Sequence, residues 1–170
     1  MTDEAGATRA QIGPLSPFGI AIVAGIVIVD QVAKWIAEAT LPYGEPIPLL
    51  PILTLLRTYN TGIAFSFLAG LGSLALIVLT AAISVIVLLV WWRSKERSRL
   101  VAGGYALIVG GALGNLIDRV VHGHVIDFLL LHLGEWNLFV FNLADAALTL
   151  GPAILILVIL FRPHKKSGRP

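Results

Sequence analysis

The sequence predicts an all-α membrane protein built on four transmembrane helices, and three observations carry the prediction. Hydrophobic residues make up 57% of the 170-residue chain and charged residues only 13%, about half the ~25% charge of a typical soluble domain. Mean hydropathy is +0.89, and the apolar residues fall in long blocks instead of amphipathic repeats. Short Lys and Arg clusters flank those blocks. Despite a net charge of +2 and a pI near 9.2, this arrangement reads as membrane topology and not as a nucleic-acid surface. Residues 1–170 form a single integral membrane domain by this reading. The chain has no cysteine, which excludes disulfides, thiolate catalysis and cysteine metal sites.

Residues 1–17 are polar, carry Pro14 and Pro17 and show no helical period, so they read as a disordered tail. An apolar run opens at Phe18 and continues through Asp30, Lys34 and Trp35 to about Ala39. Ala37-Glu38-Ala39 resembles the small-x-small site of a cleaved signal peptide. A secretory apolar region does not normally carry an aspartate and a lysine, so an uncleaved first span is predicted. Pro42, Pro46, Pro48 and Pro51 then forbid a continuous helix, Ile52 to Tyr59 suits a short strand, and Asn60-Thr61-Gly62 reads as a turn. From Ile63 to Trp92 the chain is again apolar; thirty helical residues would span about 45 Å against a hydrocarbon core of about 30 Å. The second span is therefore placed at about 70–92, with 63–69 outside the membrane. The third runs from Leu100 to about Ile117 and the fourth from about Leu143 to Phe161, followed by a basic tail over 163–170.

Four spans put the N-terminal tail, the 93–99 loop and the C-terminus on one side. These hold nine Lys or Arg residues, against Arg57 and Arg119 in the other two loops. Positive charge marks the cytoplasm. Both termini are expected inside, and residues 40–69 and 119–141 outside. Trp35, Tyr43, Trp91, Trp92 and Trp136 fall near span ends, where interfacial aromatics gather. The apolar piece Phe128–Leu133, with Trp136 and Phe139, suits the membrane surface.

This topology gathers the scattered polar residues at one leaflet. Asp30 and Lys34 lie in the outward half of the first span, Asn115 and Asp118 at the outer end of the third, Arg119 and Asp127 just beyond it, and Asn142 and Asp145 at the outer start of the fourth. An ionisable group at bilayer depth costs at least ~2.5–3.5 kcal/mol on insertion scales, so it normally faces the bundle, finds a partner and marks function. Two carboxylates held together share a proton, because both cannot easily ionise. One can then take a proton from water while the other polarises a peptide carbonyl. Asp127 and Asp145, at the starts of apolar segments, are the candidate pair. No serine nucleophile has a histidine within evident reach. His122 and His124 lack an assured third ligand, so no metal or other cofactor is expected. Simpler readings stand beside these: Asp30 with Lys34 as a structural ion pair, and Gly110-x-x-x-Gly114 as a helix-packing surface.

Asp30-x-x-x-Lys34, Asn60-Thr61-Gly62-x-Ala64-Phe65-Ser66, Gly114-Asn115-x-x-Asp118-Arg119, Val125-x-Asp127-Phe128 and Phe141-Asn142-x-Ala144-Asp145 resemble the five sequence blocks of the bacterial lipoprotein signal peptidases, signal peptidase II. The resemblance runs from about Val29 to Thr149. It implies a membrane aspartic endopeptidase that removes signal peptides from diacylglyceryl-modified prolipoproteins, cleaving before the lipidated cysteine. By position Asp127 and Asp145 would be the catalytic dyad. Asn60, Gly62, Asn115, Arg119, Asn142, Asp30, Lys34 and Asp118 would bind substrate or support the site. It further implies an extracytoplasmic β cradle from the first outer loop, a short surface helix in the second, and inhibition by globomycin-type peptides. Expected partners are the prolipoproteins and membrane lipids, with the enzyme a monomer in the inner membrane and its site at the outer face. Two competing readings are a proton-coupled transporter, which should hold its charges near the midplane, and a structural subunit docking through its glycine face.

Overall fold

In the computed structural model, which describes residues 11–62 and 73–161, the elements are α1 (Pro17–Thr40), β1 (Ile47–Leu50), β2 (Leu53–Asn60), α2 (Ser73–Arg93), α3 (Arg99–His122), β3 (Val125–Leu133), β4 (Trp136–Phe141) and α4 (Leu143–Phe161). Each helix is long and apolar enough to cross a membrane; a 24-residue helix such as α1 or α3 reaches about 36 Å at 1.5 Å per residue.

Composition decides which helix lies at the centre. α3 carries Ala102, Gly104, Ala106, Gly110, Gly111 and Gly114, all buried, and packs against α1, α2 and α4. Small residues let backbones approach where lipid offers no hydrophobic drive for helix association. A Cβ at Gly111 would run into the Ala144 carbonyl, and one at Gly110 would lie 3.0 Å from Ile26. The Gly110-x-x-x-Gly114 face is thus a packing surface inside the chain. The outward faces of the other helices are large and apolar, with Ile28, Val32, Val78, Ile86, Ile159 and Leu160 exposed, as lipid contact requires.

Several expectations change. Residues 1–17 were expected to be one disordered tail. Ser16 instead caps α1, its Oγ accepting from Gly19 N at 3.1 Å, and Ile12 is held at both backbone groups: its N donates to Glu96 O at 2.7 Å and its O accepts from Trp91 Nε1 at 2.9 Å. Trp91 is therefore no interfacial aromatic. It is 1% exposed and belongs to a core with Ala102, Ala106 and Val109. The third span does not stop near Ile117; α3 continues to His122, where Gly123 ends it at φ +75°, a conformation glycine adopts without strain. Residues 1–10, 63–72, which include Ala64-Phe65-Ser66, and the tail 163–170 lie outside the described residues.

The larger correction concerns the segment between α3 and α4. The surface helix expected there is absent from residues 123–142, and Phe128–Leu133 belongs to a strand. β3 and β4 form a hairpin across Gly134-Glu135, with Leu133 paired to Trp136 and Gly134 at φ +58°, which suits a two-residue hairpin turn. The sheet is an antiparallel meander ordered β1-β2-β3-β4, so both loops contribute equally, and the chain is not all-α. Pro48 sits on the edge strand β1, where a missing N–H is tolerated. The central pairing of β2 with β3 is long-range, Thr58 lying opposite Asp127 and Asn60 opposite Val125. It brings the Asn60 turn to the start of β3, beside the ends of α3 and α4.

Candidate active site

Lys34 fixes one half of the site. Asp30, Lys34 and Asp118 are each no more than 1% exposed, and charges so deeply buried persist only when fully paired. Lys34 Nζ has three N–H groups and uses each: toward Asp30 Oδ2 at 2.8 Å, Asp118 Oδ2 at 2.8 Å and Asn115 Oδ1 at 3.0 Å. The spare carboxylate oxygens take other donors. Asp30 Oδ1 accepts from Ala144 N at 2.8 Å and Asp118 Oδ1 from Gln31 Nε2 at 2.7 Å, while Asp118 Oδ2 also accepts from Ile126 N at 3.1 Å. The cluster therefore ties α1 to α3, to the first turn of α4 and to the start of β3. A side chain at Gly114 would bring its Cβ within 2.7 Å of Asp30 Oδ2; only glycine leaves room for the ion pair.

The other half holds two carboxylates through asparagines. Asn142 and Asp145 cap α4 reciprocally: Asp145 N donates to Asn142 Oδ1 at 2.9 Å, and Asn142 N to Asp145 Oδ2 at 3.3 Å, the pattern of a capping box. Asn142 Nδ2 donates to Asp127 Oδ1 at 2.7 Å and to Asn115 Oδ1 at 3.1 Å. Asn115 Nδ2 donates to Asp145 Oδ1 at 2.7 Å. Asn60 Nδ2 donates to Asp127 Oδ2 at 3.0 Å, and Asn60 Oδ1 accepts from Gly62 N at 2.9 Å. Gly62 sits at φ +113° against Leu76, with no space for a Cβ. Arg119, which donates to Asn115 O at 3.3 Å, feels the charges of Asp145, Asp127 and Asp118.

Burial, followed by the charge of Asp145, pushes the Asp127 carboxyl up to about 6 from its ordinary 3.8, against the amide donors Asn60 and Asn142, which favour the ionised form. A carboxyl poised there can hold a proton near neutral pH and give it up. Among the described residues, no three His, Asp or Glu side chains are grouped to hold a metal. His124 instead packs against Tyr59 in a tilted pair with ring centroids 4.1 Å apart, and the His122 ring lies 5.9 Å from that of His124.

A protein-family model described as signal peptidase (SPase) II matches residues 22–161. The chain belongs to the signal peptidase II family. It is 49% identical over 131 residues, 77% of this chain and 82% of the relative, to the lipoprotein signal peptidase of Brucella ovis, and equally to that of Brucella canis. It also resembles a solved bacterial membrane enzyme at TM-score 0.82 and 27% identity, over 96% of this chain and 98% of that one. A second structure of that description matches at TM-score 0.79 and 27% identity, over 92% and 99%. Its activity is accordingly that of a signal peptidase II, the removal of signal peptides from prolipoproteins by a multi-pass protein of the bacterial inner membrane.

Every candidate residue predicted from the signal peptidase II blocks falls in this one network: Asp30, Lys34, Asn60, Gly62, Asn115, Asp118, Arg119, Asp127, Asn142 and Asp145. Sequence reasoning missed Gln31, whose Nε2 also reaches Asp30 Oδ2 at 3.3 Å and Gly114 O at 3.2 Å. One signal could have found it: Asp30, Gln31 and Lys34 are polar neighbours on one side of an otherwise apolar helix.

Proposed function

We propose that the chain is an aspartic endopeptidase in which Asp127 and Asp145 activate water for cleavage of a diacylglyceryl-modified prolipoprotein before its lipidated cysteine. The observation that carries this reading is the placement of the two carboxylates. They share one asparagine network, and each receives amide donors on its oxygens, while no other buried carboxylate in the cluster lacks a cation. Asp145 stands in the first turn of α4, where the helix dipole favours an anion. It takes a proton from water as the water oxygen bonds to the scissile carbonyl carbon. Asp127 gives its proton to the carbonyl oxygen. As the C–N bond breaks, the leaving amine takes the proton held by Asp145, and the hydroxyl formed on carbon returns a proton to Asp127. Both carboxyls end as they began, without metal or covalent intermediate.

Both termini lie in the cytoplasm by this reading, and the sheet and dyad at the outer face, where a diacylglyceryl anchor delivers the cleavage site; the nine-to-two division of Lys and Arg supports that orientation. The enzyme acts as a monomer among membrane lipids. The extended peptide is clamped beside the sheet by backbone hydrogen bonds, a position that globomycin-type peptides would contest. Purified protein tested on a lipidated peptide decides the chemistry. Asp127→Asn and Asp145→Asn should each abolish cleavage while still binding a non-cleavable lipopeptide. Robust turnover by either would remove the dyad from the mechanism.

A further inference from the structure

We propose that Lys34, buried in α1, is a positioning residue for the reaction: through Asn115 it keeps the Asp145 carboxylate in the ionised form that accepts the proton of water. The inference rests on the dyad reading and adds a remote group to it. Lys34 Nζ donates to Asn115 Oδ1 at 3.0 Å, and the opposite end of the same amide, Nδ2, donates to Asp145 Oδ1 at 2.7 Å. An amide turned the other way would aim its N–H groups at an ammonium and at Asn142 Nδ2, which donates to the same Oδ1 at 3.1 Å. The orientation is therefore fixed. A cation on the oxygen also polarises the amide and strengthens its N–H donation to an anion, an effect that grows in a site of low dielectric.

Pairing with carboxylates does not account for all that Lys34 does. Two carboxylates occupy two of its N–H groups, and the third is spent on a neutral amide that leads to Asp145. Among the described residues, the charged groups that act on Asp145 are Lys34 and Asp30 on α1, Arg119 on α3 and Asp127 on β3. By sign alone Lys34 favours the Asp145 carboxylate and Asp30 opposes it. Arg119 is the other cation among the described residues near Asp145, and it is the more exposed of the two, so water screens it more.

The test is the pH profile of kcat in purified protein acting on a lipidated peptide. Lys34→Met removes the charge and keeps the length. The acidic limb, which reports ionisation of the base, should move to higher pH by roughly one unit. On that limb the loss in kcat is then about tenfold, with KM little changed. Lys34→Met also leaves Asp30 and Asp118 without their cation, so it is paired with Lys34→Met/Asp118→Asn, which removes one of those carboxylates and should show the same displacement. A wild-type profile in whichever of the two variants folds overturns the proposal, as does a rise in KM alone. The dyad reading is scored separately by Asp127→Asn and Asp145→Asn. If those are inactive while the Lys34 variants keep the wild-type profile, only the role of Lys34 fails; if the aspartate variants cleave, the dyad fails first.

Discussion

Asp127→Asn should make the folded protein more stable at neutral pH while removing its activity. Burial and the nearby Asp145 push the Asp127 carboxyl from 3.8 to about 6, so the folded state binds the proton more tightly than the unfolded chain does. A raised carboxyl works against the fold once it ionises: stability is lost as pH rises from about 4 to about 6, and the loss is complete above the folded value. At 1.36 kcal/mol per unit, a shift of about 2 units corresponds to roughly 3 kcal/mol. Asparagine is neutral, as the protonated acid is, and avoids that cost; its Nδ2 replaces one oxygen that accepts from Asn60 or Asn142, so the gain falls short of the full amount. Thermal unfolding of wild type and variant in the same detergent, at pH 4 and pH 7.5, measures the effect. The variant should gain at pH 7.5 by up to ~3 kcal/mol, and the two proteins should converge at pH 4. A variant no more stable than wild type at pH 7.5, or a gain equal at both pH values, would refute the electrostatic reasoning. Such trade-offs between stability and activity are expected where a reactive group is kept poorly solvated.

Asp118→Asn should do the opposite. It exchanges a carboxylate that accepts from Lys34, Gln31 and Ile126 N for a group with donors of its own, at a cost of roughly 3 kcal/mol, the low end for a broken buried pair because Asp30 still holds Lys34. The folded fraction should still turn over at a measurable rate in single-turnover assays; a well-folded but inactive variant would move the acid or base onto α3. Single cysteines at exposed sites such as Tyr43 and Trp136 should react with an impermeant reagent in intact spheroplasts, whereas labelling only after lysis would reverse the orientation. Activity should survive exhaustive chelation, since two carboxylates suffice to activate water; loss with recovery by zinc would promote His122 and His124.

The helices were legible because lipid imposes one rule on them: twenty or so apolar residues between polar ends. The fourth span, 143–161, coincides with α4, and the topology gathered Asp30, Lys34, Asn115, Asp118, Arg119, Asn142 and the two candidate aspartates at one leaflet, whereas Asn60 and Gly62 were named only through the family resemblance. The hairpin was not legible. Phe128-Leu129-Leu130-Leu131 lacks the alternation that marks a half-exposed strand, because Val125 to Phe128 is buried on both faces and the leucines beyond are partly covered as well. An apolar run of that length fits strand and surface helix alike, and the long-range partner that settles the matter, β2, sits some seventy residues earlier. Trp91 misled for a related reason. A tryptophan at a span end suits an interface, and the backbone carbonyl of Ile12 that captures its N–H belongs to a stretch with no local pattern.

The two aspartates are contributed by segments that follow three of the four helices, and the last asparagine and carboxylate arrive only with α4. A ribosome makes this chain from α1 onward, so the polar cluster spends most of synthesis incomplete. With Asp30 reaching for Ala144 N and Asn115 for Asp145, docking of the final helix is the step that closes the circuit. If Asp127 and Asp145 act as the proposed pair, a half-made protein in the bilayer is inert toward the chains passing beside it.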